Sequence, residues 1–440
     1  MATLILIVFV LGYIGIALEH TLKIDKAASA LVTGMLCWTI YVFSLNEGHD
    51  FIHIIEHGLN GNGGLYHHMF DIANILFFLL GAMTIVELID AHEGFAVITD
   101  RIKTENTSKL LWIICVLTFF FSAALDNLTT TIVMVSLLRK LIEDVKTRWI
   151  FVGMVVISAN AGGAWSPIGD VTTTMLWIKG QLPNVPQIIT KLFIPSLVSM
   201  IVPLTILSLT IKGEISRPIK QENLDHYTNP TTSGERTFVF FLGIAGLIFV
   251  PIFKTYTHLP PFMGMMLSLG ILWTVTEIMH KGKSKAQKHP LSVIGVLQKI
   301  DTASVLFFLG ILLAVGALQE FGHLRTAAEK LDVFFNGNIF SINIIIGLLS
   351  SIVDNVPLVA AAQGMYDISA TGDFAANGRF WQFLAFCAGT GGSSLIIGSA
   401  AGVAAMGLEK IDFVWYLKKI SWLAVIGYLS GALVFYLMFV

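Results

Sequence analysis

The chain has 440 residues, of which 55% are hydrophobic and only 13% are charged, against about 25% charged in an ordinary soluble domain. That deficit runs the whole length, and with a mean hydropathy of +0.77 it excludes a soluble domain on a single anchor and leaves an all-α polytopic membrane protein. A net charge of −2 offers no basic face for a nucleic acid partner.

The first apolar run, ATLILIVFVLGYIGIAL, has neither a basic leader nor a small-residue cleavage pattern, so it reads as a retained span at 2–19. One crossing takes about 20 apolar residues. Further spans are expected at 27–45, 71–90, 191–211, 236–255, 260–280, 301–319 and 414–439. The loop 46–71 holds His49, His53, His57, His67 and His68 but no Lys or Arg. His53 and His57 have i, i+4 spacing, yet no Cys supports a metal site, and an amphipathic surface helix explains the pattern better. Cys37, Cys115 and Cys387 lie in apolar runs without CxxC spacing and read as buried filler.

Four segments are interrupted. Residues 109–141 and 338–366 are apolar apart from Asp126-Asn127 and Asp354-Asn355 at their midpoints. Residues 149–178 and 380–407 contain the small polar runs SANAGGAWSPIGD and AGTGGSSLIIGS. Non-helical backbone at membrane depth survives only against protein or a water-filled cavity. The first pair therefore reads as re-entrant helical hairpins and the second as broken transmembrane helices. On that layout 21 of the 27 Lys and Arg fall on one side, which marks it as cytoplasmic and places both termini outside.

ILFFLLGAMTIVELID at 75–90 resembles VLFFLGILLAVGALQE at 305–320, and each precedes a hairpin and then a broken helix. The chain divides into a lead-in helix (1–26), a first repeat (27–211), a cytoplasmic linker with a connecting helix (212–259) and a second repeat (260–440). The odd number of crossings between the repeats inverts one relative to the other, the sequence mark of a secondary transporter.

A carboxylate near mid-membrane costs roughly 2.5–3.5 kcal/mol on the insertion scale. Asp126 and Asp354 bear that cost at matched positions. A helix N-cap at the hairpin tip is the competing reading, but Ser or Asn would cap nearly as well without a charge. The carboxylates therefore mark a site where a proton and a cation compete for the same oxygens. Asn127 and Asn355 donate an amide oxygen or cap the helix, Pro357 starts the second hairpin's outgoing helix, and at least two of Thr129, Thr130 and Thr131 are expected to back-bond to their own helix. Ser158, Asn160, Gly162 and Gly163 in one broken helix, and Thr390, Gly391, Gly392, Ser393 and Ser394 in the other, offer hard oxygen ligands, with the glycines expected to unwind the backbone. A small-residue packing face is the competing reading. Asp170, followed by Thr172 and Thr173, is a third carboxylate with no acidic equivalent in the second repeat. Ser350 lies one turn before Asp354, whereas Glu87 and Asp90 sit at a span end and read as interfacial.

GYIGIALEHTLKIDKAASAL, SAALDNLTTTIVMV, ISANAGGAWSPIGDVTTTMLW and SSIVDNVPLVAAA resemble the NhaD-type sodium/proton antiporters of bacteria, within the ion transporter superfamily, from about residue 8 to 430. By this resemblance Asp126, Asn127, Ser158, Asn160, Asp170, Thr172, Thr173, Ser350, Asp354, Asn355, Thr390, Ser393 and Ser394 fall on positions that handle cations and protons. It also implies a homodimer, with a scaffold and a mobile transport domain in each copy. Dicarboxylate carriers of the superfamily have neutral hairpin tips; Asp here favours a cation on Coulomb grounds.

The expected activity is exchange of cytoplasmic Na⁺, and Li⁺, for external H⁺ in the bacterial inner membrane. Na⁺ is expected at Asp126, Asp354, Asn160, Thr390 and the carbonyls around Gly162, Gly163, Gly391 and Gly392. No cofactor is expected, and no GxxxxGK[ST] motif points to nucleotide drive. An anion or dicarboxylate carrier, an intramembrane aspartyl protease and a channel are the alternatives. An anion carrier would need a Lys or Arg at mid-depth, and the expected spans leave none there.

Overall fold

The computed structural model describes residues 2–17, 19–44, 64–99, 101–217 and 231–439. His49, His53 and His57 lie outside them, as do residues 218–230 of the expected linker. Helices dominate; among the described residues the β pairing amounts to two isolated bridges, Asn106 with Glu214 and Ser369 with Ala375.

The helices of the first half are α1 (Ala2–Ala17), α2 (Lys26–Ser44), α3 (Leu65–Ala91), α4 (Thr107–Leu125), α5 (Asn127–Leu141), α6 (Val145–Ala164), α7 (Val171–Ile178) and α8 (Val185–Thr210). Then come α9 (Ser233–Thr257), α10 (Pro261–Met279), α11 (Thr302–Glu320), α12 (His323–Phe335), α13 (Ile339–Leu349), α14 (Asn355–Met365), α15 (Arg379–Gly391), α16 (Ala400–Glu409), α17 (Phe413–Lys419) and α18 (Ser421–Phe439). Among the described residues, eight helices are long and apolar enough to cross a membrane: α2, α3, α4, α8, α9, α10, α11 and α18. The multi-pass expectation is met.

Capping fixes the boundaries. The Asn106 side chain accepts from Lys109 N and starts α4, Asp144 starts α6, and Asn184 with Pro186 in the first turn starts α8. Thr232 and Glu235 form a capping box at the head of α9.

Several boundaries differ from expectation. The first span is shorter, and α3 begins at Leu65, so His67 and His68 belong to a helix and not to the loop. The interruption of 109–141 is a single residue, Asp126, and α4 alone is long enough to cross. In the second half α12 is an amphipathic helix read as loop from its charges; it meets α13 at a bend of 118°. The expected span 414–439 breaks at Ile420 into α17 and α18.

The packing pairs recur between the halves. Helix α4 packs on α6, and α13 on α15; α5 packs on α16, and α14 on α7; α1 packs on α2, and α9 on α10. The halves meet where α8 lies along α18 and α6 crosses α15.

Candidate ion-binding site

The hairpin tips come first. Asp126 is the lone residue between α4 and α5, with φ +73°, a left-handed conformation unusual outside glycine. Its Oδ1 accepts from Thr129 N at 2.8 Å and its Oδ2 from Thr129 Oγ1 at 2.9 Å. Asp354 caps α14 in an ordinary extended conformation, and its Oδ1 accepts from Val356 N at 3.3 Å. Its Oδ2 faces Lys26 Nζ at 3.8 Å. The expected spans left no Lys or Arg at mid-depth, and Lys26 reaches this tip from just before one of them. Lys26 looks like a loop cation in sequence, but it opens α2 and is folded inward over Phe307, 4.7 Å from the ring centre.

The broken helices meet these tips. α6 stays helical through Ala164 and α15 through Gly391, so the breaks are 165–170 and 395–399. The glycines expected to unwind the backbone serve close packing instead. A Cβ on Gly162 would strike Phe119 O, and one on Gly391 would strike Gly347 O, the matching residue of the other hairpin. After each break a polar residue caps the next helix. Asp170 Oδ1 accepts from Thr172 N and Thr172 Oγ1, both at 2.9 Å. Ser399 Oγ accepts from Gly402 N at 3.2 Å. Ser399 is thus the neutral counterpart of Asp170. Sequence reasoning missed it, although the paired strings Ile168-Gly169-Asp170 and Ile397-Gly398-Ser399 carry the signal.

A buried hydrogen-bond chain joins the halves. Asn127 Nδ2 donates to Asn160 Oδ1 at 3.0 Å and to Asp170 Oδ2 at 3.2 Å. Asn160 Nδ2 donates to Ser393 Oγ at 2.8 Å and Ser399 Oγ at 2.9 Å. All five residues are buried, and Asp170 lies within electrostatic reach of both Asp354 and Asp126. Other expected site residues hold the frame. Ser350 Oγ donates to Ala388 O at 3.0 Å, as Ser122 Oγ does to Ala159 O at 2.5 Å in the first half. Thr390 Oγ1 donates back to Phe386 O and Thr173 Oγ1 to Ala164 O. Ser158 is buried beside Cys115, and Asn355 is buried in the first turn of α14. Ser394 Oγ is buried without a hydrogen-bond partner.

Two adjoining cavities approach the tips. One of about 50 Å³ is lined by Asp354, Lys26, Tyr13 and Glu19. The other, about 190 Å³, shares Glu19, Lys26 and Val403 with it and extends to Asp25, Asp301 and Leu128, two residues past Asp126. A third cavity of about 430 Å³ lies along α5 and is lined by Asp90, Glu93, Lys140, Arg217 and Arg236, so Asp90 faces a charged vestibule.

Near that vestibule, His92 and His280, which cap the ends of α3 and α10, stack at 5.0 Å with 2.8 Å between their Nε2 atoms. Burial pushes the His92 imidazole down to about 4. Glu409, 2% exposed, is clasped by Arg139 at 2.5 Å and Arg148 at 2.7 Å.

The family model described as CitMHS, citrate transporter, matches residues 4–381. Sodium/proton antiporter 1 of Arabidopsis thaliana is 47% identical over 97% of this chain and 70% of its own length. Sodium/proton antiporter 2 of the same plant is 43% identical over 98% of both chains. The Na(+)/H(+) antiporter NhaD of Vibrio cholerae is 30% identical over 96% of this chain and 88% of its own. Relatives thus come from plants as well as bacteria, a wider set than the sequence motifs alone implied. With a family match over most of its length and relatives aligned nearly end to end, the chain belongs to the CitMHS citrate-transporter family, as a multi-pass membrane transporter and not an enzyme.

Proposed function

We propose that the protein exchanges Na⁺ for H⁺ at a site between its two halves, with Asp126, Asp170 and Asp354 as the proton- and cation-carrying groups. The observation that carries this reading is the buried chain from Asp170 through Asn127 and Asn160 to Ser393 and Ser399, flanked by an aspartate at each hairpin tip. It is rich in hard oxygen, acidic and spans both halves, which suits an alkali cation. Asn160 and Ser393 give it a polar floor, and Thr390 with the carbonyls of the two breaks supplies further oxygens. The names of the three relatives given above, each a sodium/proton antiporter, support a cation.

The family description favours citrate instead. Lys26 is the feature that would attract an anion, but Asp354 already balances its charge. A tricarboxylate beside three aspartates meets net repulsion.

The exchange cycle follows from competition. On the outer side the carboxylates take up protons; facing the cytoplasm they release them, and Na⁺ takes their place. The recurring packing pairs and the matched Ser122 and Ser350 ties support inverted repeats, which let one bundle rock against the other around a fixed site. Li⁺ as a second cargo, re-entry of both hairpins, a homodimer and a cytoplasmic-membrane location with external termini belong to the same proposal. The uneven distribution of Lys and Arg supports that orientation.

The test is proton flux in proteoliposomes on adding Na⁺, Li⁺, K⁺ or citrate. Flux with Na⁺ and Li⁺, reduced about tenfold or more in Asp354→Asn, is the expected outcome. Citrate-driven flux, or undiminished exchange in Asp126→Asn and Asp354→Asn alike, overturns the reading.

A further inference from the structure

Asp126 and Asp354 occupy matching places, yet their surroundings differ. Thr129 engages both Asp126 oxygens. Asp354 offers one oxygen to Val356 N and turns the other toward the ammonium of Lys26. The two side chains are 19% and 13% exposed, so the pair is neither in bulk water nor sealed from it. At 3.8 Å the ions attract but leave room for rearrangement.

Lys26 also stands where the two cavities meet, with Asp354 on one side and Glu19, Asp25 and Asp301 toward the other. A lysine is a compact charge on a flexible four-carbon stem. Swinging away from Asp354, it finds other carboxylates lining the same space. A metal cation at Asp354 and the Lys26 ammonium would be two positive charges a few ångströms apart in a partly dry cleft, so each disfavours the other.

We propose that Lys26 is a tethered cation that occupies Asp354 while the transported ion is absent and is displaced toward the neighbouring acids when Na⁺ arrives. The inference rests on Asp354 being a carboxylate of the ion site. Lys26 acts through Asp354 and is a positioning residue. It keeps the empty site balanced in charge and makes Na⁺ compete with an intramolecular ammonium. Among the described residues, the other titratable groups lining these two cavities are Tyr13 on α1, Glu19 after it, Asp25 before α2 and Asp301 at the head of α11; Asp170 acts on Asp354 through space.

Removing the ammonium removes a competitor. In proteoliposomes, Lys26→Gln is expected to lower the half-saturating Na⁺ concentration by about tenfold. Lys26→Arg keeps it near the parent value. Parental Na⁺ dependence in Lys26→Gln, with exchange lost in Asp354→Asn, overturns the role of Lys26 and leaves the ion site standing. Full exchange in Asp354→Asn overturns the site assignment itself. A second measurement covers failure of Lys26→Gln to fold: acylation of Lys26 in the parent protein, read by mass spectrometry with Na⁺ or choline present. Faster labelling with Na⁺ is expected, and equal labelling rejects the proposal.

Discussion

At the scale of single residues, the two tip aspartates were legible because a charge inside an apolar run has few explanations. What was not legible is how differently they are held. Asp126 sits at φ +73° and caps α5 through Thr129; Asp354 sits in extended backbone beside Lys26. This separates charge from structure at Asp126. Asn tolerates left-handed backbone and still caps a helix, so Asp126→Asn should abolish exchange while thermal unfolding stays close to the parent. Asp126→Ala loses the cap, about 1 kcal/mol, and with it the local side-chain hydrogen bonds that help an L-residue hold a positive φ. Equal melting temperatures for the two variants would contradict this account of the tip. Ser399 escaped notice because serine in a membrane helix is ordinary; only its bond to Asn160 at 2.9 Å gives it a place in the site.

Helices and their ends form the next scale. Lengths of apolar sequence predicted the spans well, since hydropathy records what lipid demands of a helix. Ends and breaks were less readable. Gly162 and Gly391 were expected to unwind their helices, yet both are helical, because close approach of α4 and α13 uses the missing β-carbon. The ends of α3 and α10 meet through His92 and His280, a contact with no trace in either segment alone. The folded pKa of His92 lies at about 4, below the ordinary value. Its contribution to stability is therefore complete above about pH 6.5 and is lost as the pH falls through 4. Between about pH 7.5 and pH 5 the protein should lose about 2 kcal/mol through this group. Melting curves across that range check it, and His92→Gln should show a shallower acid dependence than the parent. The charged groups facing the pair include Glu235, Lys283 and Lys288, so the comparison belongs at fixed ionic strength.

Across the whole molecule, contacts between the halves decide whether separate helices become one site. Glu409 on α16 binds Arg139 on α5 and Arg148 on α6, and Trp149 Nε1 donates to its carbonyl at 3.1 Å. Removing the carboxylate leaves Arg148 largely buried without its partner. Glu409→Ala should therefore destabilise the protein by about 3 kcal/mol, read as lowered unfolding temperature in detergent; an unchanged value would mean that the clasp is idle. By itself the sequence determined the all-helical membrane class, most spans and the places where polar residues interrupt apolar runs, because each rests on local composition measured against the demands of lipid. Tertiary structure alone decided that Asn160 bridges to Ser393 and Ser399, that Lys26 faces Asp354, and that the histidines and Glu409 find their partners. These pairings join residues 188 to 328 positions apart, on different helices, and hydrophobic periodicity records which face of a helix is buried without recording what it is buried against.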